Sequence, residues 1–274
     1  MTDPPALPAA FLGHGSPMNA LERNRYSDTW RAFGADAHRR AARPRAILVI
    51  SAHWYTGTTA VTAMAKPKTI HDFYGFPPAL HAIDYPAPGL PELAAEIADA
   101  AQPDYVGADA DGWGLDHGAW SVLVHAFPAA DVPVVQLSIN AQKPPEWHVA
   151  LGAKLAPLRD RVIVVGSGNV VHNLRAMDPG LADEGYDWAR RFDEHARQVL
   201  TERPGDAAEL VHHPDYRIAA PTPEHFLPVL YLAGLAAAAN ERLDVLVDGY
   251  AFGSISMTCY GLGARCPTDI ASRS

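Results

Sequence analysis

Cysteine, cationic charge and long apolar runs are all scarce in this 274-residue chain, and each scarcity excludes something. The two cysteines, Cys259 and Cys266, have neither the paired spacing of a zinc-binding motif nor the density of a disulfide framework. They read as buried or free thiols in a reducing compartment. Lysine and arginine number 22 against 31 aspartates and glutamates, a formal charge of −9, so a nucleic-acid backbone or an anionic membrane surface would be repelled on average. A small-molecule substrate fits that balance better. No apolar stretch reaches the roughly 18 residues needed to cross a bilayer, and the start "MTDPPALPAAFLGHG" lacks the charged head and apolar run of a signal peptide. The expectation is a cytoplasmic protein with no nucleic-acid or membrane partner. Some short signatures are missing too: there is no HExxH, no GxSxG and no glycine-rich phosphate loop after a strand.

Hydrophobic residues make up 48% of the chain and charged residues 19%, enough to bury a large core. Apolar runs of strand length occur at 9–12, 47–50, 132–139 and 162–165, with an alternating run at 254–260. Between them lie segments of helical period at 27–39, 91–101, 117–127, 145–158, 187–202 and 223–239. This alternation predicts an α/β fold over residues 1–274, a single domain with a central, mainly parallel or mixed sheet and helices on both faces. Ligands of such sheets bind beyond the carboxyl ends of the strands. The Pro- and aromatic-rich stretch 65–91 reads as a long ordered loop, a lid or pocket wall.

Thirteen histidines stand out. His38, His148 and His195 lie among polar residues of helical segments and read as solvated surface groups, while His81, His125, His212 and His213 show no usable spacing. His71, beside Asp72 in the long loop, reads as a pocket residue. Five differ in context, being bracketed by Gly, Ser, Asn or Pro at the end of a regular element: His14, His53, His117, His172 and His225. For His225, Thr222 reads as a helix cap, Pro223 as a first-turn residue and Glu224 as a partner of the positive helix end. Each of the five taken singly is equally a buried imidazole satisfied by backbone; together they suggest one site. Neutral imidazole is a common metal ligand, and ligands drawn from different strand ends need no short spacing.

The blocks "FLGHGSPMNALE", "ISAHWYT", "TIHDFYGFP", "WGLDHGAWSVL", "PVVQLSIN", "GSGNVVHNLR" and "PTPEHFLPVLY" closely resemble the class III extradiol ring-cleavage dioxygenases, in the branch named for DOPA 4,5-dioxygenase. The resemblance runs from Phe11 to about Tyr260. It implies a non-haem Fe(II) enzyme, often isolated with zinc in the same site, that opens a catechol with O2 to a semialdehyde. It implies His14, His53 and His225 as metal ligands, His172 as catalytic base or a further metal ligand, and His117 as a catalytic histidine that contacts or protonates bound species. Many members carry a glutamate where this branch has His225, and an all-nitrogen set favours zinc more. His71, Trp54, Phe73 and Arg175 are the expected substrate-binding residues, with Tyr74 and Trp113 as further aromatic wall. Two other classes remain open on the residues alone, a zinc hydrolase and a non-catalytic metal-binding protein, and nothing specifies the number of subunits.

Overall fold

The computed structural model describes residues 6–40 and 44–264. Its frame is one eight-stranded sheet made of β1 (Ala9–Gly13), β2 (Ala46–Thr56), β3 (Ala60–Thr62), β4 (Gly107–Asp109), β5 (Val134–Asn140), β6 (Val162–Gly168), β7 (Asp244–Val247) and β10 (Cys259–Leu262). A two-stranded hairpin, β8 (Tyr250–Ala251) and β9 (Ile255–Ser256), stands beside it. The order is β4-β3-β5-β2-β6-β1-β10-β7. Its centre, β5-β2-β6-β1, is parallel, whereas β10 and β7 are added antiparallel at one side and β3 pairs antiparallel with β5 at the other. The sheet is therefore mixed. The short outer strands β3, β4 and β7 were not legible as apolar runs because each has only three or four residues.

Successive strand residues point to opposite faces, and here that alternation sorts the core in two. Phe11, Leu48, Ile50, Val162 and Val164 pack on one face with residues of α3 (Pro91–Ala100), α5 (Pro145–Lys154), α6 (Asp187–Glu202) and α8 (Leu227–Ala239). Ala10, Leu12, Ile47, Val49, Ile163 and Val165 pack on the other with α1 (Arg25–Arg40) and α4 (His117–Ala126). Strands buried on both faces read as unbroken apolar runs, which is why the four central ones were visible in the sequence. Short helices α2 (Pro78–His81) and α7 (Tyr216–Ala219) complete the set, α2 lying inside the long loop.

Two helix boundaries lie four residues from expectation. The segment expected as helix at 145–158 ends at Lys154 and continues as a 3-10 turn over Ala156–Asp160. The one expected from 223 begins only at Leu227, and Thr222 caps nothing: its hydroxyl donates to the Glu224 carboxylate at 2.7 Å. His148, expected on the surface, is fully buried against Tyr231 of α8. Cys259 is a buried free thiol, and Cys266 lies outside the described residues. No described helix is long and apolar enough to cross a membrane.

Candidate active site

The carboxyl ends of three neighbouring parallel strands build the floor of the site. Ser51 of β2 pairs with Ser167 of β6, and Leu12 of β1 pairs with the same Ser167, so the residues just beyond them arrive together. His14 follows β1 immediately and His53 lies near the end of β2. His117 is the first residue of α4, where Asp116 caps the helix by accepting the Ala119 N–H at 3.0 Å. Asp116 is wholly buried and also accepts from Ser51 Oγ at 2.6 Å, from Trp113 Nε1 at 3.2 Å and from Gln136 Nε2, which ties the helix start to the sheet. Gly118 makes this close approach possible, since a Cβ there would stand 2.4 Å from Ser51 Oγ and 2.7 Å from His53 Cδ2. His172 is delivered by the segment after β6, held by its N–H to the Ala219 carbonyl at 2.8 Å. His225 precedes α8, and its carbonyl accepts from the Asn169 N–H at 2.9 Å.

These five rings form one cluster. Ring centres of His14 and His53 lie 5.2 Å apart, His53 and His117 3.7 Å, His14 and His225 5.3 Å, and His53 and His225 5.1 Å. His172 stacks on His225 at 3.5 Å with the planes 9° apart. All five line a cavity of about 490 Å³ whose remaining wall is largely apolar, with Phe73, Phe76, Met177, Phe252 and Ile255.

The hydrogen bonds behind the rings assign their tautomers. Ser167 Oγ donates to the Gly118 carbonyl at 2.6 Å, so toward His14 Nδ1, 3.0 Å away, it can only accept. His14 therefore carries its proton on Nδ1 and presents a bare Nε2. His53 Nδ1 lies 3.1 Å from Asp72 Oδ2, so His53 likewise presents a bare Nε2. The two bare nitrogens face each other at 3.4 Å. With no proton to share they repel, unless a cation lies between them. Two nitrogens bound to one tetrahedral ion at about 2.1 Å stand roughly 3.4 Å apart, so the donor set fits a metal. One donor group joins His117 to His14 and His53 and a second joins His172, Glu224 and His225, the ligand atoms of each lying within 4.8 Å of one another.

Burial keeps four of the imidazoles, those of His14, His117, His172 and His225, neutral. Burial, reinforced by the neighbouring imidazoles, holds His14 and His225 well below the usual histidine range, and burial lowers His172 to about 4. His117 is lowered by burial while Asp72 opposes the shift. Asp72 itself is raised by burial, but contacts from His117 and His53 outweigh this and leave it firmly ionised. Its Oδ1 also accepts the His117 backbone N–H at 2.9 Å and lies 3.0 Å from His117 Nδ1. One carboxylate thus orients two of the five rings.

The cavity takes in Phe73 but not the other expected substrate residues. Trp54 turns away and stacks on Trp113 at 5.7 Å with planes 4° apart, in a separate groove. His71 lies 2.9 Å through Nε2 from the Ile83 carbonyl and borders another groove on the long loop. Arg175 is exposed, although its neighbours Leu174 and Met177 do line the cavity, and Tyr74 is 95% exposed. Sequence reasoning passed over Asp72, Ser167 and the role of Glu224, whose Oε1 lies 3.2 Å from His225 Nδ1. The signal for Asp72 was its place beside a loop histidine; the loop turns the aspartate, not His71, into the site.

The model of the catalytic LigB subunit of aromatic ring-opening dioxygenase matches residues 8–263. The chain belongs to this family. It is 47% identical to a 4,5-DOPA dioxygenase extradiol of Escherichia coli (strain K12), over 94% of this chain and 95% of that one. With a protein of the same description from Beta vulgaris it shares 37% identity, over 91% and 94% of the two chains. A solved structure from Escherichia coli K12, described as an uncharacterized protein, superposes with a TM-score of 0.81 at 41% identity, covering 94% of this chain and all of that one. The chain is accordingly an extradiol aromatic ring-opening dioxygenase of a metal-dependent family.

Within that family reading, Asp72 is the sharpest single test of the site. Asp72→Asn keeps the shape but removes the charge that orients His53 and His117. Loss of such an outer partner typically costs about 10–100-fold in metal affinity. Competitive chelator titration of the variant should show a drop of that size, and unchanged affinity would remove Asp72 from the site.

Proposed function

We propose that the chain is a non-haem Fe(II) dioxygenase that opens a catechol beside its diol with O2 to a semialdehyde. The observation that supports this most is the facing pair of bare nitrogens on His14 and His53, backed by Ser167 and Asp72. His14, His53 and His225 hold the metal, with His172 beside it. Bound Fe(II) would supply Lewis-acid and redox chemistry toward the diol and O2. The protein's own residues do the rest. Phe73 and Ile255 offer flat, apolar surface to an aromatic ring, and the histidines lie on the polar side of the same cavity. A catechol must lose protons before its oxygens can bind a cation, and His172, neutral because burial lowers it to about 4, is free to accept one. His117 has Asp72 behind it, which offsets part of the burial cost of its protonated form, and it serves as the group that hands a proton back. The apolar wall excludes water that would compete for the same positions.

Anaerobic loading with Fe(II), followed by oxygen uptake over a catechol panel, tests the reading. A yellow ring-opened product is the expected result; no oxygen uptake with any catechol by the iron-loaded protein would overturn it. His172→Ala should retain Fe(II) yet lose turnover by about 10²–10⁴-fold, the usual contribution of a positioned acid or base. Complete loss of iron on that change would instead make His172 a ligand.

A further inference from the structure

Asp193 of α6 is wholly buried yet does not line the histidine cavity. Arg197, one turn further on, pairs with Asp248 at 3.0 Å, and among the described residues no lysine or arginine forms an ion pair with Asp193. A carboxylate buried without a cation is costly unless hydrogen bonds satisfy it. Hydroxyl groups do so here. Ser256 Oγ donates to Asp193 Oδ1 at 2.6 Å, Thr258 Oγ1 to Oδ2 at 3.0 Å and the Tyr250 hydroxyl to Oδ2 at 3.3 Å. All three donors lie on one stretch, the β8–β9 hairpin and the link that follows it to β10.

A two-stranded hairpin is marginal when left to itself. This one also turns through Phe252 at φ 54°, a left-handed conformation uncommon for a bulky residue. Its second strand carries the link to the site. His172 and Ile255 form an antiparallel bridge, in which the Ser256 N–H donates to the Val171 carbonyl at 3.0 Å and the Asn173 N–H to the Ser254 carbonyl at 3.1 Å. Asn169 Nδ2 adds a bond to the Ser256 carbonyl at 2.8 Å. The segment that delivers His172 is thus laid along β9. Neighbouring strand residues face opposite ways, and here Ile255 lines the histidine cavity while the Ser256 hydroxyl is turned to Asp193. The buried carboxylate therefore grips from behind the strand whose front forms the cavity wall and whose edge holds His172.

We infer that Asp193 is a positioning residue for His172: through Ser256 its carboxylate fixes β9, and β9 fixes the backbone that aims the ring. The effect on turnover rests on the reading of His172 as base, but the clamp can be measured without turnover, by hydrogen exchange in protein loaded with zinc in place of iron. Asp193→Asn keeps the shape and weakens the acceptor, and Ser256→Ala removes the donor. In either variant the Asn173 amide should exchange at least about tenfold faster, the size expected from losing a hydrogen bond to a charged group. The amides of β1 and β6 should keep their protection, which separates local loosening from loss of the fold. In the iron-loaded enzyme kcat should fall at least about tenfold, with full iron content and KM within about threefold, because a small misplacement of a reacting group costs rate. The double variant should lose little more than Asp193→Asn alone, since both changes break one contact. Should Asp193→Asn not fold, Ser256→Ala decides the matter by itself. Unchanged exchange at Asn173, an unchanged kcat, a rise in KM at constant kcat, or additive losses would each overturn the assignment. If exchange quickens as expected but the wild type opens no catechol, the clamp stands and the ring-cleavage proposal falls.

Discussion

His53→Ala should leave a folded protein that no longer retains metal and whose turnover falls by more than the roughly 10–100-fold that loss of an outer hydrogen-bond partner costs. Folding should survive because the body of β2, from Ala46 to Ile50, is completely buried by apolar neighbours on both faces, while His53 lies beyond it and is part-exposed. Metal should not survive, because the change removes one of the two bare nitrogens that face each other at 3.4 Å. Elemental analysis after gel filtration reads the metal, and circular dichroism reads the fold. Full occupancy in His53→Ala would end the metal-site assignment. The third ligand is decided by the same measurement on His225→Ala and His117→Ala. The donor geometry groups His117 with His14 and His53, whereas the family resemblance points to His225. The proposed function requires the greater metal loss in His225→Ala.

Particular residues explain how far the site could be read before the fold was known. His14 and His53 were legible because each ends an apolar run, and a buried parallel sheet delivers such residues to one edge. His117 was legible because Asp116 and Gly118 mark a helix start, and Asp116 does cap it. Trp54 and Arg175 fall outside the cavity for one reason: proximity along the chain is not proximity in space. Trp54 follows His53 directly, yet adjacent strand residues diverge, and it stacks on Trp113. Arg175 is three residues from His172, but a 3-10 turn at Leu174–Ala176 carries it outward. Asp72 was flagged only by its place beside His71, because the loop that holds it has no periodicity from which a direction can be read. Likewise, His148 sits in a segment rich in polar residues, but α8 is apolar on all sides and covers it.

That misplaced histidine gives an effect of pH on the fold that lies apart from the site and can be isolated. His148 faces α8 from α5 with its Nδ1 2.9 Å from the Tyr231 hydroxyl, and burial, opposed in part by the Lys143 carbonyl, lowers it to about 4. In the unfolded chain the same ring titrates near 6.5, roughly. Above that pH both states are neutral and His148 adds no pH dependence. Below it the unfolded state takes up a proton that the folded state refuses, so stability should decline by about 1.4 kcal/mol per pH unit. The decline from this group ends near pH 4, where the folded state protonates as well, for a total of about 3 kcal/mol. His148→Gln keeps a polar partner for Tyr231 and removes the titration. In metal-free protein, the buried cluster at His14, His172 and His225 contributes its own acid loss, equally in both proteins, and cancels in the comparison. Urea unfolding from pH 8 to pH 4.5 should therefore give a stability curve flatter by about one proton in His148→Gln than in the wild type. Parallel curves would show that His148 is protonated alike in both states and that its burial carries no acid sensitivity.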